Sequence, residues 1–110
     1  AGGIRPAIQN AKVYLQTKGL SLGIEVEARS IEDVQLALME LPVQRIMLDN
    51  FSPELCKTAV ALIANRCETE ASGGITLENL RTYAEAGVDF ISLGMLTHSV
   101  KSLDISFKIK

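Results

Sequence analysis

The chain has 110 residues, of which 47% are hydrophobic and 22% charged, and its formal net charge is −2. That length suits one small domain with a modest core, and the composition is ordinary for a globular protein. The balance excludes the basic footprint of a nucleic-acid binder, and no apolar run approaches the roughly 20 residues of a membrane span. The N-terminus lacks a basic region followed by an apolar one, so no signal peptide is expected. Cys56 and Cys67 have neither metal nor redox spacing. They read as buried free thiols, which fits a cytoplasmic setting.

Ile4, Ala7, Ile8, Ala11 and Leu15 have helical spacing, so a helix is expected over residues 5–18, with Pro6 in its first turn and Gly19 at its exit. Ile24 to Ala28 alternates apolar and acidic residues and reads as a strand. Ser30 caps the next helix, with Asp33 as a partial capping box, and Pro42 stops it. Arg45-Ile46-Met47-Leu48-Asp49 is a short, mostly apolar strand, as expected when both faces are covered. Ser52-Pro53-Glu54 combines an N-cap, a proline at the first position and an acid in the first turn. That helix should run to about Asn65. Cys67 to Ala71 is the third strand. Thr76 reads as the cap of a helix to Ala86, and Gly87 as its stop. Asp89 to Leu93 is the fourth strand.

The strand starts at Ile24, Arg45, Cys67 and Asp89 lie 21, 22 and 22 residues apart. Strands alternating with helices imply parallel pairing and right-handed crossovers. The near-constant unit favours an α/β fold of barrel type over an irregular doubly wound sheet. A closed barrel needs eight units, so about four parallel βα units make a partial (β/α) barrel. Residues 103–110 break the pattern. Leu103, Ile105, Phe107 and Ile109 alternate with polar residues, which marks a strand of an antiparallel sheet. No other segment offers such a sheet, so this strand is expected to pair outside the chain. Two open edges and an amphipathic tail predict self-association, as a dimer or higher oligomer.

Ligands of parallel α/β folds bind beyond the carboxyl ends of the strands. There the sequence places Glu25 and Glu27, then Asp49-Asn50, then Glu70 with Ser72-Gly73-Gly74, then Gly94 with Met95-Leu96-Thr97-His98-Ser99. The acids suit a divalent cation or sugar hydroxyls, and the glycine turns suit a phosphate. Each residue also has a structural reading. Gly73-Gly74 could be a plain βα turn and Asp49 a helix cap. Glu25 and Glu27 could pair with Arg29 or Lys12, and His98 could be a structural histidine. Acid, acid, glycine turn and glycine turn at successive strand ends is hard to obtain from packing alone.

Together Ile24-Glu25-Val26-Glu27, Ile46-Met47-Leu48-Asp49-Asn50, Glu70-Ala71-Ser72-Gly73-Gly74-Ile75, Gly87-Val88-Asp89 and Gly94-Met95-Leu96-Thr97-His98-Ser99 resemble the quinolinate phosphoribosyltransferases. Leu103-Asp104-Ile105-Ser106 is similar to that family's C-terminus, and order and spacing match along nearly the whole chain. The resemblance implies a pentosyltransferase of NAD biosynthesis. It joins quinolinate to 5-phosphoribosyl 1-pyrophosphate, needs magnesium, and yields nicotinate mononucleotide, pyrophosphate and carbon dioxide. It implies Glu27 and Asp49 as the catalytic acids around the ribose hydroxyls and Mg2+. Ser72, Gly73 and Gly74 become one wall of a phosphate cradle. Gly94, Met95, Leu96 and Thr97 become the other, with His98 beside the phosphate or pyrophosphate.

The family is similar to a chain more than twice this long, with an N-terminal sandwich domain and earlier barrel strands. Those parts carry the basic residues that grip quinolinate, and the Lys-Asp-Asn-His motif expected before Ala1 to Ile4 is absent. Arg5, Lys12 and Lys18 form no such pattern. Residues 1–102 are therefore expected to be the C-terminal part of a barrel domain, with 103–110 pairing to the sandwich domain. Such a piece, whether cut, cleaved or incompletely predicted from its gene, is expected to be inactive alone. The competing readings are another phosphate-binding barrel enzyme and a non-catalytic half barrel that self-associates.

Overall fold

A computed structural model of the chain describes residues 3–96 and 102–109. Helix α1 spans Ile4–Lys18, followed by β1 (Glu25–Ala28), α2 (Ile31–Leu38), β2 (Arg45–Asp49), α3 (Pro53–Ile63), β3 (Glu68–Ser72), α4 (Leu80–Glu85), β4 (Phe90–Leu96) and β5 (Ser102–Lys108). The strands form one sheet in chain order. β1 to β4 are parallel, and β5 is antiparallel to β4. The architecture is a partial (β/α) barrel of four parallel strands with an antiparallel strand at the end.

Local chemistry sets the helix starts. Ser30 Oγ accepts from the N–H of Asp33 at 3.1 Å, and Ser52 Oγ accepts from the N–H of Leu55 at 3.1 Å, with Pro53 in the first turn. Thr76 does not cap α4. Asn79 Oδ1 instead accepts from the N–H of Thr76 at 2.8 Å, and Asn79 Nδ2 donates to the Gly74 carbonyl at 3.4 Å. A side chain that bonds this way competes with the helix, so α4 starts only at Leu80.

Alternation divides the sheet into two faces. Val26, Ala28, Ile46, Leu48, Ala71, Ile91 and Leu93 pack with the helices, against Ile8, Val34, Cys56, Ala59, Ile63 and Tyr83. The other face would line the barrel interior and carries Glu25, Glu27, Arg45, Met47, Asp49, Glu68, Glu70, Ser72 and Phe90. β2 is therefore covered on one face, not both: Arg45, Met47 and Asp49 are only half-buried. Burial pushes the Cys56 thiol from its ordinary range up to about 11, so it is a protonated core residue.

The tail does not lack a partner within the chain. β4 continues to Leu96, three residues beyond the expected end, and offers its outer edge to β5 along the register Phe90↔Lys108 to Leu96↔Ser102. The pairing places Phe107 opposite Ile91 on the helix side, where Phe107 and Ile109 stay exposed. Ser106 lies on the interior side, where its hydroxyl donates to Glu70 Oε2 at 3.3 Å.

α3 ends on two residues in the left-handed region, Ala64 (φ 51°) and Asn65 (φ 61°). Arg66 satisfies the last carbonyls, donating to Ile63 at 3.0 Å and Leu62 at 2.8 Å. Alanine in this conformation costs about 1–2 kcal/mol, whereas glycine adopts it freely. Ala64→Gly should therefore stabilise the fold by about 0.5–1 kcal/mol after the larger unfolded-state entropy of glycine is subtracted. A higher urea midpoint with an unchanged slope is the expected outcome, and a lower midpoint would contradict it.

Candidate active site

Glu27 and Asp49 converge on one cation. Arg29 leaves the end of β1 and turns its guanidinium across the mouth of the sheet. Its Nε donates to Glu27 Oε1 at 3.0 Å, and Nη2 lies 2.9 Å from the same oxygen. The same Nε stands 3.6 Å from Asp49 Oδ2. The capping alternative for Asp49 is taken by Ser52, which caps α3 with its own hydroxyl. Glu25 belongs elsewhere: it faces Arg45 at 3.6 Å, one layer lower on the same face. Lys12 pairs with neither acid, because it donates to the Glu40 carbonyl at the end of α2.

The turn after β3 is built on glycine for a steric reason. Gly73 has φ 88°, and a Cβ there would meet Asn50 Oδ1 at 2.6 Å and Asn50 N at 2.9 Å. The Asn50 N–H also donates to the Ser72 carbonyl at 2.9 Å, so the turns after β2 and β3 are locked together. Asn50 itself sits at φ 60°. Gly74 has φ 70° with open space around it. Asn79 holds the far side of the turn. Among the described residues, the N–H groups of Gly73, Gly74 and Ile75 donate to no backbone acceptor. Free N–H groups in a positive-φ turn form an anion-binding concavity. The six-residue α4 starts at Leu80, so its dipole adds little at this turn.

Gly94, Met95 and Leu96 lie within β4, paired with Asp104, Leu103 and Ser102, and not in a loop beyond the strand. The β3 edge of β4 is paired only at Phe90 and Ile91. Beyond Ile91 that edge runs past the glycine turn. Thr97 and His98 lie outside the described residues. The early basic residues are committed away from this end: Arg5 Nε pairs with Glu40 at 2.8 Å, and Lys18 lies 6.0 Å from the Tyr14 ring.

Two carboxylates beside a glycine turn suit Mg2+ held by one or two acids and by substrate phosphates, the usual mode for this ion. Among the described residues no group of three or more His, Cys, Asp or Glu forms a closed cage. Glu27 and Asp49 are the residues here that could hold such an ion together with substrate phosphates.

A family model described as "Quinolinate phosphoribosyl transferase, C-terminal domain" matches residues 1–108. The chain belongs to the quinolinate phosphoribosyl transferase family. Its relatives include the chloroplastic "Nicotinate-nucleotide pyrophosphorylase [carboxylating]" of Arabidopsis thaliana, 46% identical over 99% of this chain and 35% of the relative. A "Probable nicotinate-nucleotide pyrophosphorylase [carboxylating]" of Bacillus subtilis is 43% identical over 98% of this chain and 36% of that protein. The structure of the nicotinate-nucleotide pyrophosphorylase from Francisella tularensis superposes with a TM-score of 0.75 at 30% identity, covering 94% of this chain and 36% of the other. That from Ehrlichia chaffeensis gives 0.74 at 33% identity over 82% and 31%. The chain thus spans about a third of the length of the quinolinate phosphoribosyl transferase relatives it matches.

Three supporting residues escaped sequence reasoning. Arg29 was legible only as one of two cations near the acids. Asn50 carried no signal for its positive φ beyond the tolerance of asparagine for it. Tyr83 on α4 donates to the Phe51 carbonyl at 2.7 Å in the core and so fixes the loop that follows Asp49. Nothing in its helical spacing separates it from a packing residue.

The two glycines should respond differently to substitution. Gly73→Ala forces a Cβ into Asn50 and should cost about 2–3 kcal/mol of stability together with phosphate affinity. Gly74→Asn adopts the same left-handed region in open space and should cost less than about 1 kcal/mol. Urea unfolding of both variants, with phosphate titration, checks the contrast; equal costs would contradict it.

Proposed function

We propose that this chain carries the phosphoribosyl half of a quinolinate phosphoribosyltransferase site. The whole protein would transfer the phosphoribosyl group from 5-phosphoribosyl 1-pyrophosphate to quinolinate, with decarboxylation to nicotinate mononucleotide. The observation that carries this reading is the meeting of Glu27 and Asp49 at one guanidinium, beside a glycine turn whose N–H groups donate to no backbone acceptor among the described residues. Family membership and the activity for which the relatives are named support it.

In this reading the acids stabilise the positive charge that develops on the ribose as the pyrophosphate leaves, the electrostatic role expected of preorganised groups. Mg2+ supplies neutralisation of the leaving pyrophosphate when bound. Ser72, Gly73 and Gly74 hold phosphate oxygens through the backbone. Gly94, Met95, Leu96, Thr97 and His98 complete the cradle, supported by the edge of β4 that runs past the glycine turn. The grip on the two quinolinate carboxylates falls to other parts of the protein, since Arg5 and Lys12 are engaged with Glu40. The edge of β5 away from β4 is where the sandwich domain would dock, and β1 offers the edge for earlier barrel strands. These edges also favour a homodimer. A cytoplasmic location is part of the proposal and fits two free thiols. Among the described residues no helix is long and apolar enough to cross a membrane.

The test is Asp49→Asn in calorimetric titration with 5-phosphoribosyl 1-pyrophosphate, with and without Mg2+. The magnesium-dependent part of the affinity should fall, while magnesium-free phosphate binding should persist. In the whole enzyme, turnover should drop about 10²-fold or more, the scale of one lost electrostatic contact. An unchanged magnesium dependence would reduce Asp49 to a partner of Arg29.

A further inference from the structure

Arg29 is the one element of this site whose position asks for an explanation of its own. Its backbone is fixed, because its N–H donates to Asp33 Oδ2 at 3.0 Å as part of the cap of α2. Its side chain is 75% exposed, and among the described residues its guanidinium is engaged by Glu27 and Asp49. Those carboxylates are themselves 46% and 27% exposed, so the bridge is solvated and weak. The guanidinium therefore occupies the place between the two acids from which a divalent cation would neutralise both. A planar five-donor cation and a small divalent ion make incompatible demands on the same oxygens.

We propose that Arg29 is a built-in counter-ion that reserves the cation position between Glu27 and Asp49 and must swing away for a divalent ion to enter, thereby setting the metal affinity of the site. The inference rests on the assignment of Glu27 and Asp49 as metal holders. Without the guanidinium the two acids would repel each other across the end of the sheet. With it they stay paired until a doubly charged ion, which gains more from both carboxylates, replaces it. Arg29 is thus a positioning residue that acts through the acids, and a long exposed side chain on a fixed backbone suits the exchange.

The test uses Mn2+ alone as the probe, read by water-proton relaxation on the 110-residue chain, for wild type, Arg29→Gln, Arg29→Lys and Asp49→Asn. Arg29→Gln removes the competing charge and should bind Mn2+ about three- to tenfold more tightly. Arg29→Lys keeps the charge and should stay near wild type, whereas a merely structural role for the side chain would move both variants alike. Asp49→Asn should lose most of the binding. In a Mg2+ titration, the Nε–Hε resonance of Arg29 should shift toward that of a free guanidinium. If Arg29→Gln binds Mn2+ no better than wild type while Asp49→Asn loses it, the counter-ion role is overturned and the metal assignment stands. If no variant shows Asp49-dependent Mn2+ binding, the metal assignment fails and takes the counter-ion role with it.

Discussion

The interior face of this sheet depends on Arg45. Its guanidinium lies 2.8 Å from Glu70, 3.2 Å from Glu68 and 3.6 Å from Glu25, with the Phe90 ring centred 3.7 Å away. One side chain of β2 therefore ties β1, β3 and β4 at a single level. Burial works against its charge, but the hydrogen bonds to Glu70 and Glu68 outweigh that cost, and the guanidinium is held protonated more firmly than usual. Glu70 is almost fully buried, and its second oxygen receives Ser106 from β5. Without Arg45 a buried carboxylate would have no counter-charge, a loss that typically costs about 3–5 kcal/mol. Three acids around one base leave the floor of the interior negative.

The same alternation that puts Arg45 on the inner face puts the candidate site one layer above it. Glu70 and Ser72 share a face of β3, as do Arg45 and Asp49 on β2. The ionic floor thus sets where Asp49 and the Ser72–Gly74 turn stand relative to each other, and the pairing Asp49↔Ser72 makes them neighbours. The helix side contributes support of a different kind. Tyr83 reaches from α4 to the loop after β2, and Asn50 packs on Gly73. At the opposite end Asp89 staples the strand starts. Its Oδ2 accepts from the Thr69 N–H at 3.0 Å and joins the starts of β3 and β4. The chain therefore separates a stapled lower end from an upper end with solvent-accessible acids and, among the described residues, N–H groups free of backbone acceptors.

Much of this was legible in the sequence because local rules and tertiary structure agree. Ser52-Pro53 starts a helix wherever it occurs, and regular strand spacing follows from a constant βα unit. Placing strand ends side by side put Glu25, Glu27 and Asp49 at one end, and the family resemblance singled out Glu27 and Asp49. Other features were hidden for physical reasons. Alternation in residues 103–110 marks a strand but not the edge it pairs with, so the pairing with β4 could not be read. Gly94 resembles a strand end, yet a glycine opposite Asp104 continues the ladder. The capping pattern at Thr76 could not show that Asn79 would bond back to the Thr76 N–H and so delay the helix to Leu80. Choosing between Arg29 and Lys12 required the path of α1, which commits Lys12 to Glu40.

The central claim is that one end of this sheet, and not the interior floor or the open β1 edge, receives a phosphorylated sugar. Backbone amide chemical-shift mapping with 5-phosphoribosyl 1-pyrophosphate and Mg2+ tests it most directly. The largest changes should fall on Ser72 to Ile75 and on Asp49 to Phe51, with Glu27 following, while Arg45, Glu68 and Asp89 stay still. Changes concentrated at Arg45, Glu68 and Asp89, or along Ile4 to Ala11 and Ile24 beside the β1 edge, would contradict the account.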